Sequence, residues 1–347
     1  MRKAFFLLFL MFALPLQGKE LRLYNWSNYL GPQSITRFEK YCHCRLIYDT
    51  YGSNEELLAK LLAGATGYDI LVPTGYAVSI LRQQNLLMPL KKELLPNLGN
   101  IDPRFKGTVY DPENRFAVPY AFTTTIIGYN AKKIAELGLP TNTWALIFEP
   151  HYLEKIKGRV TVLDDARELF GAAMIYLGFT PNDTKEEHLR QAASLLKKAK
   201  PYWAAFNNES YQRLLASGDI WVAQGYSSDL FQVHEETKQS LQNPVALFLP
   251  KEGAVIATDF MVIYKDAPHP DLAHQFINFM LEGKNSAELT NLIGAGNPNR
   301  AAIPYIQPEL LQIEALFPRH AKLFALQEWG RDMRRRLDAL WLEVKID

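Results

Sequence analysis

Excess charge of either sign is missing from this sequence. Its 38 Lys and Arg stand against 37 Asp and Glu, a net charge of +1, which leaves no electrostatic footprint for nucleic acid. The one basic run, RDMRRR at 331 to 336, falls in a helical pattern and reads as a solvated face. Cysteine is nearly missing too, with Cys42 and Cys44 flanking His43. A zinc site needs about four ligands at wider spacing, and a bridge across one residue closes a strained ring. Cys44 therefore reads as the start of a buried strand, CRLIY, and Cys42 as a free thiol or a partner for another chain. The seven His residues (43, 151, 188, 234, 269, 274, 320) are scattered without ligand spacing. Neither a nucleophile elbow nor a metal box occurs, and there are no internal repeats or low-complexity tracts. Only one long apolar run exists, Ala4 to Leu16 behind Arg2 and Lys3. Its ~13 residues fall short of the ~20 a membrane span needs and suit a signal-peptide core. Residues 1 to about 18 are thus expected to be a cleaved export signal, with an uncleaved anchor as the alternative. No Cys follows the run, so a lipid anchor is not expected. Over the whole sequence 48% of residues are hydrophobic, and the roughly 330 residues of soluble chain beyond the run suggest two domains.

What is present is a strand and helix alternation. LRLYNW is followed by the helical PQSITRFEKYC, RLIYDTYG by SNEELLAKLLAG, and YDILVP by GYAVSILRQQNL. Apolar residues recur at three- and four-residue spacing in each helix, and Ser53 with Glu56 forms a capping box. This order predicts a mostly parallel sheet covered on both faces. Ligands in such sheets bind beyond the carboxyl ends of the strands. All three strands end in residues fit for contact: Trp26 to Tyr29, Tyr51 to Asn54, and Thr74 to Tyr76. The plainer reading is that Trp26 and Tyr29 only pack beneath a loop. A polar, Pro-rich stretch leads to a second set of elements: a strand in TTTIIGYN, a helix near 131 to 137, and a strand in GRVTVLDD. Helices over 166 to 177 and 186 to 199 come next, then strands in DIWVAQGYSSD and TDFMVIYKD. The pattern ends with helices in HPDLAHQFINFML, over 285 to 293, and over roughly 319 to 344.

At YNWSNYL and KLLAGATGYDILVPTGY the sequence resembles the periplasmic polyamine-binding proteins of ABC importers, the spermidine and putrescine receptors. The likeness continues in colinear order through DPENRFAVPYAFTTTIIGYN, VLDDARELF, GDIWVAQGYSSDLFQV, LPKEGAVIATDFMVI and NPNRAAIP. The resemblance implies a type II periplasmic binding protein fold, two α/β lobes joined by two hinge crossings. Lobe one would be residues 19 to 122 and 259 to 300, lobe two 123 to 258 and 301 to 347. It also implies a monomeric periplasmic receptor without cofactor or catalysis, whose partners are a polyamine and the ABC permease.

A polyamine is a run of methylenes carrying ammonium groups, so its receptor needs spaced carboxylates for charge and aromatic faces for the rest. By the resemblance, contact positions fall on Trp26, Ser27, Asn28, Tyr29, Thr74 and Tyr76, then on Asp165, Glu168, Tyr226, Asp229 and Asp259. Each carboxylate has a duller reading. Asp165 and Glu168 have capping-box spacing, Asp229 could cap the helix after GYSS, and Asp259 could open a surface strand. A helix amino terminus also favours the ionised carboxylate an ammonium requires. The sequence departs from the family pattern at Ala257 and Ala295, where large aromatics are expected. It departs also at Gly330, near an expected glutamine, and at Asn28, in place of an acid. The pocket would then be wider, or refilled by residues such as Phe122, Phe260 or Trp329. Two other classes compete. One is a same-fold receptor for another small cation or a metal ion, since Tyr29, Tyr76 and Tyr226 could ligate ferric iron. The other is a secreted carboxylate-dependent hydrolase. Iron would colour the protein, and a glycosidase would cleave a chromogenic glycoside.

Overall fold

The computed structural model describes residues 19 to 346; the expected export signal lies outside them. No helix among the described residues is long and apolar enough to cross a membrane. The first half runs β1 (Glu20–Trp26), α1 (Pro32–Cys42), β2 (Arg45–Tyr51), α2 (Asn54–Leu62), β3 (Ile70–Leu71) and α3 (Gly75–Gln83). A long strand, β4 (Ala117–Asn130), leads to α4 (Ala131–Glu136), α5 (Ala145–Phe148), α6 (Pro150–Leu153), β5 (Val160–Val162), α7 (Ala166–Tyr176) and α8 (Glu186–Ala199). Then come β6 (Ala205–Phe206), α9 (Tyr211–Ser217), β7 (Val222–Tyr226), α10 (Ser227–Thr237), β8 (Val245–Phe248) and β9 (Ala254–Ile263). The chain closes with α11 (Pro270–Met280), α12 (Gly283–Ile293), β10 (Leu323–Ala325) and α13 (Arg331–Ile346).

The strands follow the order β2-β1-β3-β9-β4-β7-β5-β6, with β10 on β9 and β8 on β4. The result is the two-lobed α/β fold. In one lobe β2, β1 and β3 are parallel and β9 runs antiparallel to β3. In the other, β6, β5 and β7 are parallel and β7 runs antiparallel to β4. The changeover lies within β4, whose residues up to Thr124 pair with β9 while those from Thr125 pair with β7. Each sheet is covered on both faces. In the first lobe Phe38, Phe276 and Ile263 fill one side and Tyr24, Leu57 and Val262 the other. Trp144, Phe148 and Phe170 fill one side of the second, with Leu215 and Leu230 opposite.

Local chemistry explains the helix starts. Ser53 caps α2 by accepting from Glu56 N at 3.1 Å, and Glu56 Oε2 reaches back to Gly52 N at 2.8 Å. Gly31 offers α1 no side-chain cap, and Glu288 of α12 supplies one by accepting from Ser34 N at 3.2 Å.

Two expectations are corrected. The helix expected over 319 to 344 is helical only from Arg331; before that, β10 pairs in parallel with β9. A free row of β9 backbone groups captures Leu323–Ala325, and ladder pairing overrides local periodicity. The two cysteines form a disulfide, Cys42–Cys44, with Cα atoms 5.2 Å apart. His43, at φ 51 in the left-handed region, turns the chain so that both side chains meet. Cys44 is partly buried and precedes β2 rather than opening it.

The crossing is tightly packed at Gly296, where an added Cβ would lie 2.3 Å from the Phe122 ring. Gly296 also exchanges both backbone hydrogen bonds with Phe122, at 2.8 and 3.0 Å. Gly296→Ala should therefore lower stability by about 1 to 3 kcal/mol, as overpacking does; a denaturant melt with an unchanged midpoint would contradict this packing.

Candidate functional site

The carboxyl ends of β1 and β3 meet β9 at Asp259. This carboxyl is 9% exposed and accepts from Tyr29 Oη at 2.8 Å and Thr74 Oγ1 at 2.6 Å. Burial raises it to about 6, against the pull of those two donors. Trp26 lies beside Tyr51, ring centroids 4.6 Å apart, and its Nε1 is buried without a partner. Ser27 and Asn28 are exposed, Asn28 with φ 57, and they stay apart from this cluster's hydrogen bonds.

The second lobe contributes the start of α7 and of α10. Asp165 caps α7 by accepting from Glu168 N at 3.0 Å, as the spacing predicts. Glu168 does not reach back to complete the box. Its carboxyl is 6% exposed and accepts from Thr125 Oγ1 of β4 at 2.6 Å. Burial first, then the charge of Asp165, raises it to about 8 despite Thr125 and Arg167. Asp229 does not cap α10, whose cap position is Tyr226; it sits in the first turn and accepts from Tyr211 Oη at 2.7 Å. Burial raises it too. Tyr226 lies among all of them: burial first, then Glu168, Asp165, Asp229 and Tyr76, hold its hydroxyl well above the usual range. Tyr76 of the first lobe donates to Glu55 at 2.8 Å and feels Asp165 across the cleft.

Two buried carboxyls, Asp259 and Glu168, and the partly buried Asp229 thus have only neutral hydroxyl partners, and none joins an ion pair among the described residues. Arg167, next to Glu168 in sequence, is held aside. Its guanidinium stacks on Trp329 at 3.6 Å and donates Nη2 to Asn182 Oδ1 and to the Gln327 carbonyl. Burial pushes it down to about 10. Such an arrangement is suited to a cation supplied from outside.

The aromatics named as possible fillers do not refill the space beside Asp259. Alternation turns Phe260 to the other side of β9, against Tyr110 at 6.1 Å, and Phe122 opposes Thr258 and stacks on Phe105 at 5.0 Å. Ala295 is fully buried in the core. The small pair Thr123 and Ala257 borders Asp259 instead, both partly exposed. Thr125 and Tyr211 are supporting residues that motif reading missed, whereas Tyr51, at the end of β2, is among the strand-end residues it singled out. The partners of Thr125 and Tyr211 stand 43 and 18 residues away, and a Thr in a strand or a Tyr in a helix carries no local mark of that.

The chain matches the family described as bacterial extracellular solute-binding protein over residues 33–312. It is 47% identical to the putrescine/cadaverine-binding protein of Pseudomonas aeruginosa, over 95% of this chain and 94% of that one. It is 36% identical to the putrescine-binding periplasmic protein PotF of Escherichia coli, over 96% and 93%. Among solved structures, it resembles the spermidine/putrescine ABC transporter substrate-binding protein PotD of Streptococcus pneumoniae with a TM-score of 0.87. That match has 26% identity and covers 94% of this chain and 99% of that one. These relatives are solute-binding proteins.

The raised carboxyls make the empty protein's stability depend on pH. Glu168 moves from 4.5 to about 8 and Asp259 from 3.8 to about 6, so across these windows the folded state holds protons that the unfolded state releases. Stability conferred by the protonated forms is complete at low pH and falls as pH rises through each window. Melts of ligand-free protein should decline from about pH 4 to about pH 8. Glu168→Gln should flatten the upper part of that decline and Asp259→Asn the lower; identical slopes in wild type and Glu168→Gln would contradict the burial of Glu168.

Proposed function

The chain belongs to the bacterial extracellular solute-binding protein family, and from that membership we propose that it is an exported receptor. It holds a polyamine, putrescine or spermidine, between its lobes and delivers it to an ABC permease. The carrying observation is the set of carboxyls bonded only to hydroxyls, buried Asp259 from one lobe and buried Glu168 with partly buried Asp229 from the other. A chain of methylenes with an ammonium at each end completes both sides at once. Trp26, Tyr29, Tyr76 and Tyr226 offer aromatic faces to the charges and methylenes, each such contact adding roughly 0.5 to 2 kcal/mol. Ser27 and Asn28 stand at the rim, Thr74 steadies Asp259, and Asp165 adds negative charge beside Glu168. The polyamines named for the relatives support the same ligand class. In this reading residues 1 to about 18 are removed on export to the periplasm, and the monomeric receptor performs no turnover.

The lobes are taken as residues 19 to 122 with 259 to 300, and 123 to 258 with 301 to 347, hinged near Phe122 to Thr124 and Ala257 to Asp259. Because the ligand's partners come from both lobes, binding favours the closed arrangement. Small-angle scattering should give a smaller radius of gyration with ligand than without; equal radii would refute ligand-driven closure.

A thermal-shift screen against putrescine, cadaverine, spermidine, spermine, basic amino acids and sugars tests the ligand class. A ligand at 100 times its dissociation constant should stabilise the fold by about 2.7 kcal/mol. Stabilisation by some other compound and by no amine would overturn the reading. By calorimetry, Asp259→Asn should weaken polyamine binding by about 2 to 5 kcal/mol, the cost of unpairing a buried charge. Asp165→Asn should cost less, because Asn still caps α7; equal affinity of wild type and Asp259→Asn would remove Asp259 from the site.

A further inference from the structure

Gln224 of β7 has no exposed surface, and only half of its amide is used. Its Oε1 accepts from Leu163 N at 3.2 Å, while its Nε2 is buried with no partner. A buried amide donor is costly to leave unpaired, and a native fold that keeps one has an acceptor within reach in some state. The position points to which one. In the antiparallel β4–β7 pair Thr125 faces Tyr226 and Ile127 faces Gln224, so Thr125 and Gln224 are diagonal neighbours on one face. Such neighbours stand roughly 7 to 8 Å apart, within reach of long side chains. Thr125 holds Glu168 Oε2 at 2.6 Å, which brings the Glu168 carboxyl over the same patch. Leu163, gripped by the other half of the amide, leads directly into Asp165, the cap of α7.

We propose that Gln224 is a positioning residue for Glu168. Its carbonyl oxygen fixes the turn into α7, and its free amide donor, directly or through one bound water, becomes the second neutral donor to the Glu168 carboxylate once that group ionises beside a cation. The proposal rests on the reading of Glu168 as a ligand partner. A comparison within the site supports it: Asp259 accepts from two hydroxyls, whereas Glu168 accepts from one. The other groups facing Glu168 are Asp165 and Arg167 on α7, Tyr226 on β7 and Tyr110 from the loop before β4. None of them is a neutral amide; Arg167 holds Asn182 and Gln327 through Nη2 and Trp329 through its flat face, and its buried Nη1, which has no partner among the described residues, carries a full positive charge that a neutral donor does not. A neutral donor in this place favours ionised Glu168 without competing for it as a cation would.

The test is Gln224→Met, which keeps length and volume but removes both polar atoms. In ligand-free protein carrying carbon-13 in its Glu carboxyls, with the Glu168 signal assigned by its loss in Glu168→Gln, the Glu168 titration midpoint should rise by about one pH unit. Putrescine binding at neutral pH should weaken about tenfold, with the pH dependence of affinity displaced upward to match. An unchanged midpoint overturns the proposal, whatever happens to affinity. If Gln224→Met does not fold, Gln224→Leu removes the same polar atoms without adding a charge, and an unmoved Glu168 midpoint there is equally fatal. Because the titration needs no ligand, a moved midpoint with no amine bound by wild type would sink the polyamine reading and leave the positioning role standing.

Discussion

Carboxyl groups removed from water and denied a counter-charge are the constraint on which this molecule turns. Asp259, Glu168 and Asp229 are each held by hydroxyls alone, so the fold tolerates them as neutral acids or completes them with a foreign cation. Burial that would be a defect in a core fits, at the meeting of two lobes, the closure on a cation proposed above.

The surrounding structure keeps that arrangement from repairing itself. Arg167 follows Asp165 on the same helix turn and would be the natural neutraliser of Glu168. Trp329, Asn182 and Gln327 hold it by its flat face and one edge. The segment supplying Trp329 and Gln327 is tethered at β10, which adds a third run of chain beside the two hinge strands. Tyr110 joins the same segment by donating to the Leu326 carbonyl at 2.6 Å. A peripheral strap, a buried arginine and an unpaired acid are thus parts of one device.

Much of this was legible in the sequence because it is local. The strand and helix alternation, α1 at 32 to 42, α8 at 186 to 199, the Ser53 and Asp165 caps and the clustering of aromatics at strand ends all follow from spacing over a few residues. Strand period two also fixes which way Phe260 faces once Asp259 is placed. What could not be read was non-local or geometric. β10 looked helical because its fate is decided by a free edge of β9 far away. The Cys42–Cys44 bridge depends on His43 adopting a left-handed conformation that no local rule required. Thr125 and Tyr211 gain their roles from acids brought to them by tertiary packing, and the placement of Arg167 depends on a tryptophan more than 160 residues later.

The strand order carries a consequence for how the chain is made. β9 lies between β3 and β4, although β1, β2, β3 and β4 all precede it in the sequence. The lobe that is begun first therefore cannot close its sheet until Ile263 has been synthesised, after β4, β5, β6, β7 and β8 and before only β10. Until then its central strand is an open slot, and the long loop that must close over it makes early completion slow. A nascent chain of this topology stays unlocked for most of its synthesis, a property that fits the export proposed above.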